Sequence, residues 1–246
     1  MEPKTRLAKK IAESGVASRR EAERLIESGH VTVDGQIVKT PVFFVDDLSE
    51  ISVNGKSITK KSEEIIIWKF HKPRGVIVTK NDPQNRKTAF DFFRQDKSCA
   101  DQRLIYIGRL DYNSEGLLLF TNNGDTARKM ELPSTGLKRV YRAKILGTVS
   151  DEKIQELKDG VTIEGIKYRS ADIKIDRRSR TNSWITVTLS EGKNREIRKM
   201  MEYAGCVVSR LIRTSYGPFN LGTLSPGHIL QTSQREVAAL LKILGT

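Results

Sequence analysis

The sequence has few of the residues that build metal centres and disulfide frameworks. Its 246 residues include two cysteines, Cys99 and Cys206, and three histidines, His30, His71 and His228. Two cysteines so far apart are not a disulfide framework, and no HxxxH or CxxC spacing indicates a zinc site. We therefore expect reduced thiols and no bound metal.

Long apolar runs are also missing. No stretch approaches the roughly 20 apolar residues that a membrane-spanning helix needs, and residues 1–15 contain no apolar signal segment. There is no glycine-rich phosphate loop and no dinucleotide-binding fingerprint. These absences predict a cytoplasmic protein that needs no cofactor and has no membrane partner.

Positive charge is what the sequence has in excess, with a formal net charge of +13. Such a surplus favours a polyanionic partner, because each cation that neutralises a phosphate releases counterions. A solvated basic surface without a partner is the alternative. Residues 1–62 contain 11 Lys/Arg and 9 Asp/Glu, whereas residues 63–246 contain 32 and 21. Most of the surplus therefore belongs to the longer part of the chain.

Residues 5–60 have the pattern of a small unit in which two helices precede β-hairpins. Ser18 followed by Glu21 predicts a capped second helix. Asp34-Gly35 and Asn54-Gly55, each flanked by alternating apolar residues, predict two hairpin turns.

Three arginines are expected on the outside of the second helix. Arg20 and Arg24 are four residues apart and share one face, and Arg19 lies at the helix start. We predict that these arginines form a phosphate-binding face. An ordinary solvated face is the alternative, since three glutamates lie on the same helix.

The polar run at residues 60–64 predicts a linker, which divides the chain into domains 1–62 and 63–246. Several neighbouring strands of the larger domain have no helix between them, which argues against an alternating βαβ fold. We predict an α+β domain with a mixed or antiparallel sheet flanked by helices. The predicted strands are 65–70, 76–79, 104–107, 117–121, 140–146, 173–176, 183–189 and 207–213, and the predicted helices are 125–131, 151–158, 194–204 and 233–244.

Two segments of the larger domain have candidate catalytic or stacking residues. Asp111 follows an apolar strand beside Gly108 and Arg109, where glycine permits close approach of a ligand. A carboxylate in this place is more often a turn residue. Tyr141 is flanked by basic residues, which suits stacking on an unpaired base, although a core tyrosine explains the same alternation.

Two further segments concentrate cations. Lys193, Arg195 and Arg198 crowd a predicted helix start, where positive charge opposes the helix dipole unless an anion is bound. A loop with solvated charges is the alternative. Arg210 and Arg213 lie on a predicted strand whose apolar residues suggest core, and we expect these two arginines to face RNA.

Six motifs in order resemble the RsuA-type pseudouridine synthases of bacterial ribosomal RNA. They are Lys-Pro-Arg-Gly at 72–75, Asn-Asp-Pro at 81–83, Gly-Arg-Leu-Asp at 108–111, Gly-Leu-Leu-Leu at 116–119, Glu-Gly-Lys-Asn-Arg-Glu-Ile-Arg at 191–198 and Arg-Leu-Ile-Arg at 210–213. Residues 5–60 resemble the S4 RNA-binding domain that precedes the catalytic domain in that family. Asn-Asp-Pro followed by Thr-Ala-Phe-Asp at 88–91 resembles the large-subunit branch more than the small-subunit one.

The resemblance implies a role for several residues. Asp111 would be the catalytic aspartate, Tyr141 the tyrosine that stacks under the target base and takes its proton, and Arg198 the arginine that pairs with Asp111. Leu211, or its neighbour Ile212, would form an apolar wall under the base. The remaining candidate substrate contacts are Arg109, Lys193, Arg195 and Arg213.

The implied reaction isomerises a uridine that is flipped out of the RNA or presented in a loop. It is redox-neutral and needs no cofactor. The expected partner is structured ribosomal RNA, and the expected oligomeric state is a monomer. Three alternatives stay open at this point: a small-subunit substrate, a non-catalytic RNA-binding or assembly factor, and an RNA methyltransferase.

Overall fold

A computed structural model of the protein describes residues 4–58, 64–100, 102–179 and 181–245. These residues fall into two compact units, one ending at Glu64 and the other beginning at Ile65. The predicted linker lies outside the described residues except for Glu64, so the boundary at residue 62 stays a prediction. No helix in the described ranges has the length and apolarity to cross a membrane.

The first unit packs two helices against short strands. The helices are α1 (Leu7–Glu13) and α2 (Arg19–Glu27), and the strands are β1 (Thr5–Arg6), β2 (Val31–Val33), β3 (Gln36–Ile37), β4 (Phe44–Val45), β5 (Ile51–Val53) and β6 (Lys56–Ile58). β1 pairs with β4, and the other four form a sheet in the order β3-β2-β5-β6. Leu7, Ile11, Ala22, Ile26 and Val31 are fully buried in the core between them.

The local signals of this unit are confirmed. The Ser18 hydroxyl accepts a hydrogen bond from the Glu21 backbone N–H at 3.2 Å, which satisfies one exposed donor of the first turn of α2. Asp34 and Asn54 both have φ of 51°, and the glycine after each is also left-handed. Left-handed pairs of this kind match the twist of a two-residue hairpin.

The second unit is built on one large sheet. Its strands are β7 (Ile67–Lys72), β8 (Ile105–Ile107), β9 (Glu115–Thr121), β10 (Arg139–Leu146), β11 (Val161–Ile163), β12 (Ile166–Tyr168), β13 (Asp172–Arg177), β14 (Asn182–Leu189), β15 (Val207–Tyr216), β16 (Phe219–Asn220) and β17 (Ile229–Gln231). Its helices are α3 (Ala89–Gln95), α4 (Gly124–Glu131), α5 (Asp151–Asp159), α6 (Glu196–Tyr203) and α7 (Gln234–Leu244).

The main path of the sheet runs β13-β14-β10-β15-β9-β7-β17. β15 and β9 are parallel, and the other neighbours on this path are antiparallel. The predicted mixed sheet is therefore confirmed. One face packs on α3, α5 and α6 around an extended core. A second cluster on the other side includes residues of α4 and α7.

One predicted strand is wrong, and one helix was not predicted. Residues 76–79 form no strand and contribute a single bridge, Ile77 to Thr88. Residues 89–95 form the unpredicted helix α3, which Thr88 and Asp91 cap reciprocally. Helix α3 buries Ala89, Phe90 and Phe93. Aromatic packing accounts for this helix, because a segment of seven residues is too short to show a clear helical periodicity.

Candidate active site

Asp111 lies in the connection between β8 and β9, on a turn of residues 111–114 that we call the Asp111 turn. The residue is half-buried. The chain reaches it through Gly108, which has φ of +64° and donates its N–H to the Glu131 carboxylate at 2.7 Å. Gly116, just beyond the turn, allows β9 to approach β15 closely, because an added Cβ would come within 2.3 Å of the Arg213 carbonyl oxygen.

All four carbonyl oxygens of the Asp111 turn accept hydrogen bonds. Within the turn, the Ser114 N–H donates to the Asp111 oxygen at 3.0 Å. The Gly75 N–H donates to the Tyr112 oxygen at 2.9 Å. Two cationic side chains hold the remaining two oxygens. The backbone that presents the carboxylate is therefore tied to separate parts of the chain, which fixes its position before a substrate arrives.

Lys72, at the end of β7, is one of these cations. It is fully buried, and its Nζ donates to the Ser114 oxygen at 2.8 Å and to the Pro73 oxygen at 3.0 Å. Burial lowers the Lys72 pKa to about 8, while the charges of Asp111 and Glu115 oppose that shift. The motif at 72–75 was identified in the sequence, but no role was predicted for Lys72, because a lysine at the end of a strand normally lies in solvent.

Arg198, on the first turn of α6, is the other cation. Its guanidinium donates through Nη2 to the Asn113 oxygen at 3.2 Å and through Nη1 to the Val208 oxygen at 2.9 Å. Burial lowers the Arg198 pKa, Arg195 adds to the shift, and Asp111 opposes it. No ion pair joins Arg198 to Asp111 in the described structure. The pairing implied by the resemblance is here an attraction through space, since backbone carbonyls occupy the guanidinium.

Tyr141 lies on β10, opposite Arg213 of β15 and Val187 of β14. It is 8% exposed and belongs to the same buried cluster as Leu110 and Leu211. Ile212 points to the opposite face of the sheet, because side chains alternate along a strand. Of the two apolar candidates, Leu211 is thus the one that shares a face with Tyr141.

The family follows from a comparison with known sequence families. Residues 66–203 match the RNA pseudouridylate synthase family, and residues 5–47 match the S4 domain. The chain belongs to the RNA pseudouridylate synthase family. The predicted family, S4 domain and fold are confirmed, and membership excludes the methyltransferase alternative.

Relatives of this synthase match over most of their length. An uncharacterized RNA pseudouridine synthase of Rickettsia felis is 46% identical over 222 residues, covering 90% of this chain and 94% of the relative. Ribosomal large subunit pseudouridine synthase B of Bacillus subtilis is 39% identical over 238 residues, covering 96% and 95%. A crystal structure of a pseudouridylate synthase is 26% identical with a TM-score of 0.67, covering 96% of this chain and 99% of that one.

Arg213 of the synthase is enclosed in the fold, although the strand pattern predicted that it would face RNA. It is 2% exposed, its Nε donates to the Leu117 oxygen at 2.7 Å, and its guanidinium lies over the Tyr216 ring at 5.1 Å. Arg139 stacks on the same ring at 4.6 Å. A phosphate cannot reach a side chain enclosed in this way. Arg210 is more exposed and forms an ion pair with Glu115 at 2.6 Å.

The predicted cations before α6 divide into two kinds. Lys193 lies in a local network, with its Nζ 2.8 Å from both Glu191 carboxylate oxygens and 2.6 Å from the Lys167 carbonyl. Arg195 is exposed, has φ of 52° and occupies the N-cap of α6 without a side-chain capping bond. Arg109 is likewise exposed. Arg195 and Arg109 are thus the better placed of these residues for contact with RNA.

Glu196 is a buried carboxylate that the sequence reasoning did not single out. It is 3% exposed, its Oε2 accepts the Lys193 N–H at 2.8 Å, and its Oε1 has no partner in the described structure. Burial raises the Glu196 pKa to about 7, and the nearby Glu191 charge adds to the shift. A solvated glutamate on a helix N-terminus would have been the default expectation.

Proposed function

We propose that this synthase isomerises a uridine of large-subunit ribosomal RNA and that Asp111 is its catalytic carboxylate. The observation that supports the assignment of Asp111 is the structure of the Asp111 turn, whose carbonyls accept hydrogen bonds from Lys72, Arg198 and Gly75. This rigid backbone presents a half-buried carboxylate close to the positive charge of Arg198. The choice of subunit rests on the relatives named large subunit pseudouridine synthase B.

The chemistry balances without an outside reactant. The bond between ribose C1′ and uracil N1 breaks, the base rotates, and C1′ bonds to C5. The C5 proton is lost, and N1 gains a proton. Asp111 serves this exchange either as a nucleophile at C1′ or as a base towards the ribose. The Arg198 guanidinium and this carboxylate attract each other through space.

Two residues of the buried core suit an extruded base. Tyr141 offers a ring for stacking and a hydroxyl for proton transfer, and Leu211 shares its face of the sheet. The reacting atoms cannot be reached in a duplex, so the uridine enters flipped or from a loop. In this proposal the exposed Arg109 and Arg195 contact the surrounding RNA.

The proposal extends to the whole chain. Residues 1–62 act as the S4 RNA-binding domain, with Arg19, Arg20 and Arg24 as its phosphate contacts, and residues 63–246 form the catalytic domain. The protein acts as a monomer in the cytoplasm, with no membrane partner. Salt-dependent attraction to phosphates would give the first domain its part in binding.

Release of tritium from C5 tests the function directly. Large-subunit and small-subunit ribosomal RNA transcripts labelled with [5-³H]uridine are incubated with the protein, and we expect release from the large-subunit transcript alone. The Asp111→Asn variant should release none while it still binds RNA. Asp172→Asn removes a carboxylate that is exposed on β13 and should match the unmodified protein.

Two outcomes would contradict the proposal at different levels. Release from the small-subunit transcript alone would overturn the choice of substrate but not the reaction. Turnover by Asp111→Asn would remove the assignment of the catalytic carboxylate. Mapping the modified position in the labelled transcript then identifies the uridine.

A further inference from the structure

Three arginines from two segments, residues 72–75 and the start of α6, lie near the Asp111 turn. Arg198 touches the turn directly through Asn113. Arg74 precedes Gly75, whose N–H holds the Tyr112 carbonyl. Arg195 lies at the N-cap of α6, less than one helical turn before Arg198. Arg74 was not among the candidates from the sequence, where it was simply part of the motif at 72–75.

The arginines outnumber the carboxylates near them. Burial lowers the pKa of Arg198, the charges of Arg195 and Arg74 add to that shift, and Asp111 alone opposes it. Glu115 also interacts with Arg74 and Lys72, but its two oxygens already accept from Arg210 at 2.6 and 3.1 Å. The buried Lys72 adds a further cation. This part of the described structure therefore holds more cations than carboxylates, an arrangement that a bound anion would stabilise.

Two local features accompany this excess of positive charge. Arg195 adopts a left-handed conformation, which costs about 1 kcal/mol or more for a residue with a Cβ, and its side chain forms no cap in return. The Nε of Arg198 is buried and has no hydrogen-bond partner in the described structure. Strain and an unsatisfied buried donor close together are typical of a functional site.

We propose that Arg74 and Arg195 bind a phosphodiester of the RNA strand next to the target uridine, close to the positive charge of Arg198. The inference rests on the proposed function and names the contact that brings the ribose to Asp111. A phosphodiester fits because it carries one negative charge and several acceptor oxygens for planar guanidinium groups. Arg74 and Arg195 are exposed and therefore accessible to a strand, whereas Arg198 is half-buried and adds its charge to the site.

The test measures single-turnover tritium release at increasing KCl. Arg74→Gln should raise the RNA concentration for half-maximal rate about tenfold and lower the salt slope by about 0.7 to 0.9, the loss of one phosphate contact. Arg74→Lys should recover part of the affinity. Arg235→Gln removes an equally exposed arginine on α7 and should leave both quantities within twofold of the unmodified protein.

RNA with an uncharged backbone linkage distinguishes a contact with one phosphate from general electrostatic attraction. RNA with methylphosphonate linkages, placed singly on either side of the mapped uridine, should slow the unmodified protein about tenfold at one linkage. Arg74→Gln should lose nothing further at that linkage. An unchanged half-maximal concentration and salt slope for Arg74→Gln would overturn the phosphate site. If the unmodified protein releases no tritium, the proposed function fails, and salt-dependent RNA binding by the Arg74 variants still decides whether Arg74 contacts a phosphate.

Discussion

Helix α2 and the Asp111 turn both have several cationic side chains, but these side chains make different interactions in the two regions. On α2 the three arginines are exposed, and Arg24, 77% exposed at its side chain, forms an ion pair with Glu21 at 3.4 Å. At the Asp111 turn, Lys72 is fully buried and Arg198 is half-buried, and both donate to backbone carbonyls. The same residue types therefore face outwards in one region and hold the backbone in the other.

The difference predicts different responses to salt. Exposed cations act on phosphates through solvent, and a Debye length of about 10 Å at 0.1 M salt screens them. A buried cation bonded to a carbonyl is hardly screened. Losing it leaves a buried acceptor without a partner, at a cost of about 1–3 kcal/mol. Variants of the two regions should consequently separate binding from catalysis.

The largest effect is expected for Lys72→Met. Without Nζ the Ser114 and Pro73 oxygens lose their donor, and the Asp111 turn is no longer fixed. The single-turnover rate at saturating RNA should fall about 100-fold, with the same ratio at low and high KCl. Lys97→Met, at an exposed position, should not change the rate. A loss that disappears at high salt would instead place Lys72 with the phosphate contacts.

A smaller effect, confined to binding, is expected on α2. Replacing Arg19, Arg20 and Arg24 together by Gln should weaken RNA binding about 10- to 30-fold at 0.1 M KCl and lower the salt slope by about 2 to 3. The saturated rate should stay unchanged. Three neutralised cations of the second unit, Lys158, Arg235 and Lys242, provide the matched control. An unchanged slope in the α2 variant would show that this helix is a solvated face without phosphate contacts.

The smallest effect is expected on the free energy of unfolding, and it tests how burial changes the behaviour of a charged group. Burial raises the Glu196 pKa to about 7, so the folded protein holds a proton that the unfolded chain releases near pH 4.5. The contribution of Glu196 to the free energy of unfolding is therefore most favourable below pH 4.5 and is lost as the pH rises to 7. Glu196→Gln should leave the free energy of unfolding unchanged at pH 4 and raise it by about 2 kcal/mol at pH 8.

Urea denaturation at the two pH values measures this difference. Glu21→Gln serves as the control, because Glu21 is exposed on α2, and it should show no such dependence on pH. Equal effects of Glu196→Gln at pH 4 and pH 8 would mean that folding does not change the pKa of Glu196 and that its hydrogen-bond partners offset its burial.

Sequence alone determined the features that depend on neighbours a few residues away. The Ser18 cap and the two hairpin turns need only local hydrogen bonds and the conformational freedom of glycine. Alternation along β10 and β14 predicted strands, and the order of six motifs indicated the family. Where the local pattern was poor, prediction failed, as at α3 and residues 76–79. Helix α6 also begins two residues later than predicted, since Arg195 is left-handed.

Only the tertiary structure decided which charges are buried. Lys72 bonds to Ser114, 42 residues away, and Arg213 bonds to Leu117, 96 residues away. Whether a strand is central or at an edge depends on the strands beside it, and β15 lies between β10 and β9. A cation can be enclosed only where such distant carbonyls and rings satisfy it. No spacing of residues within one strand carries that information.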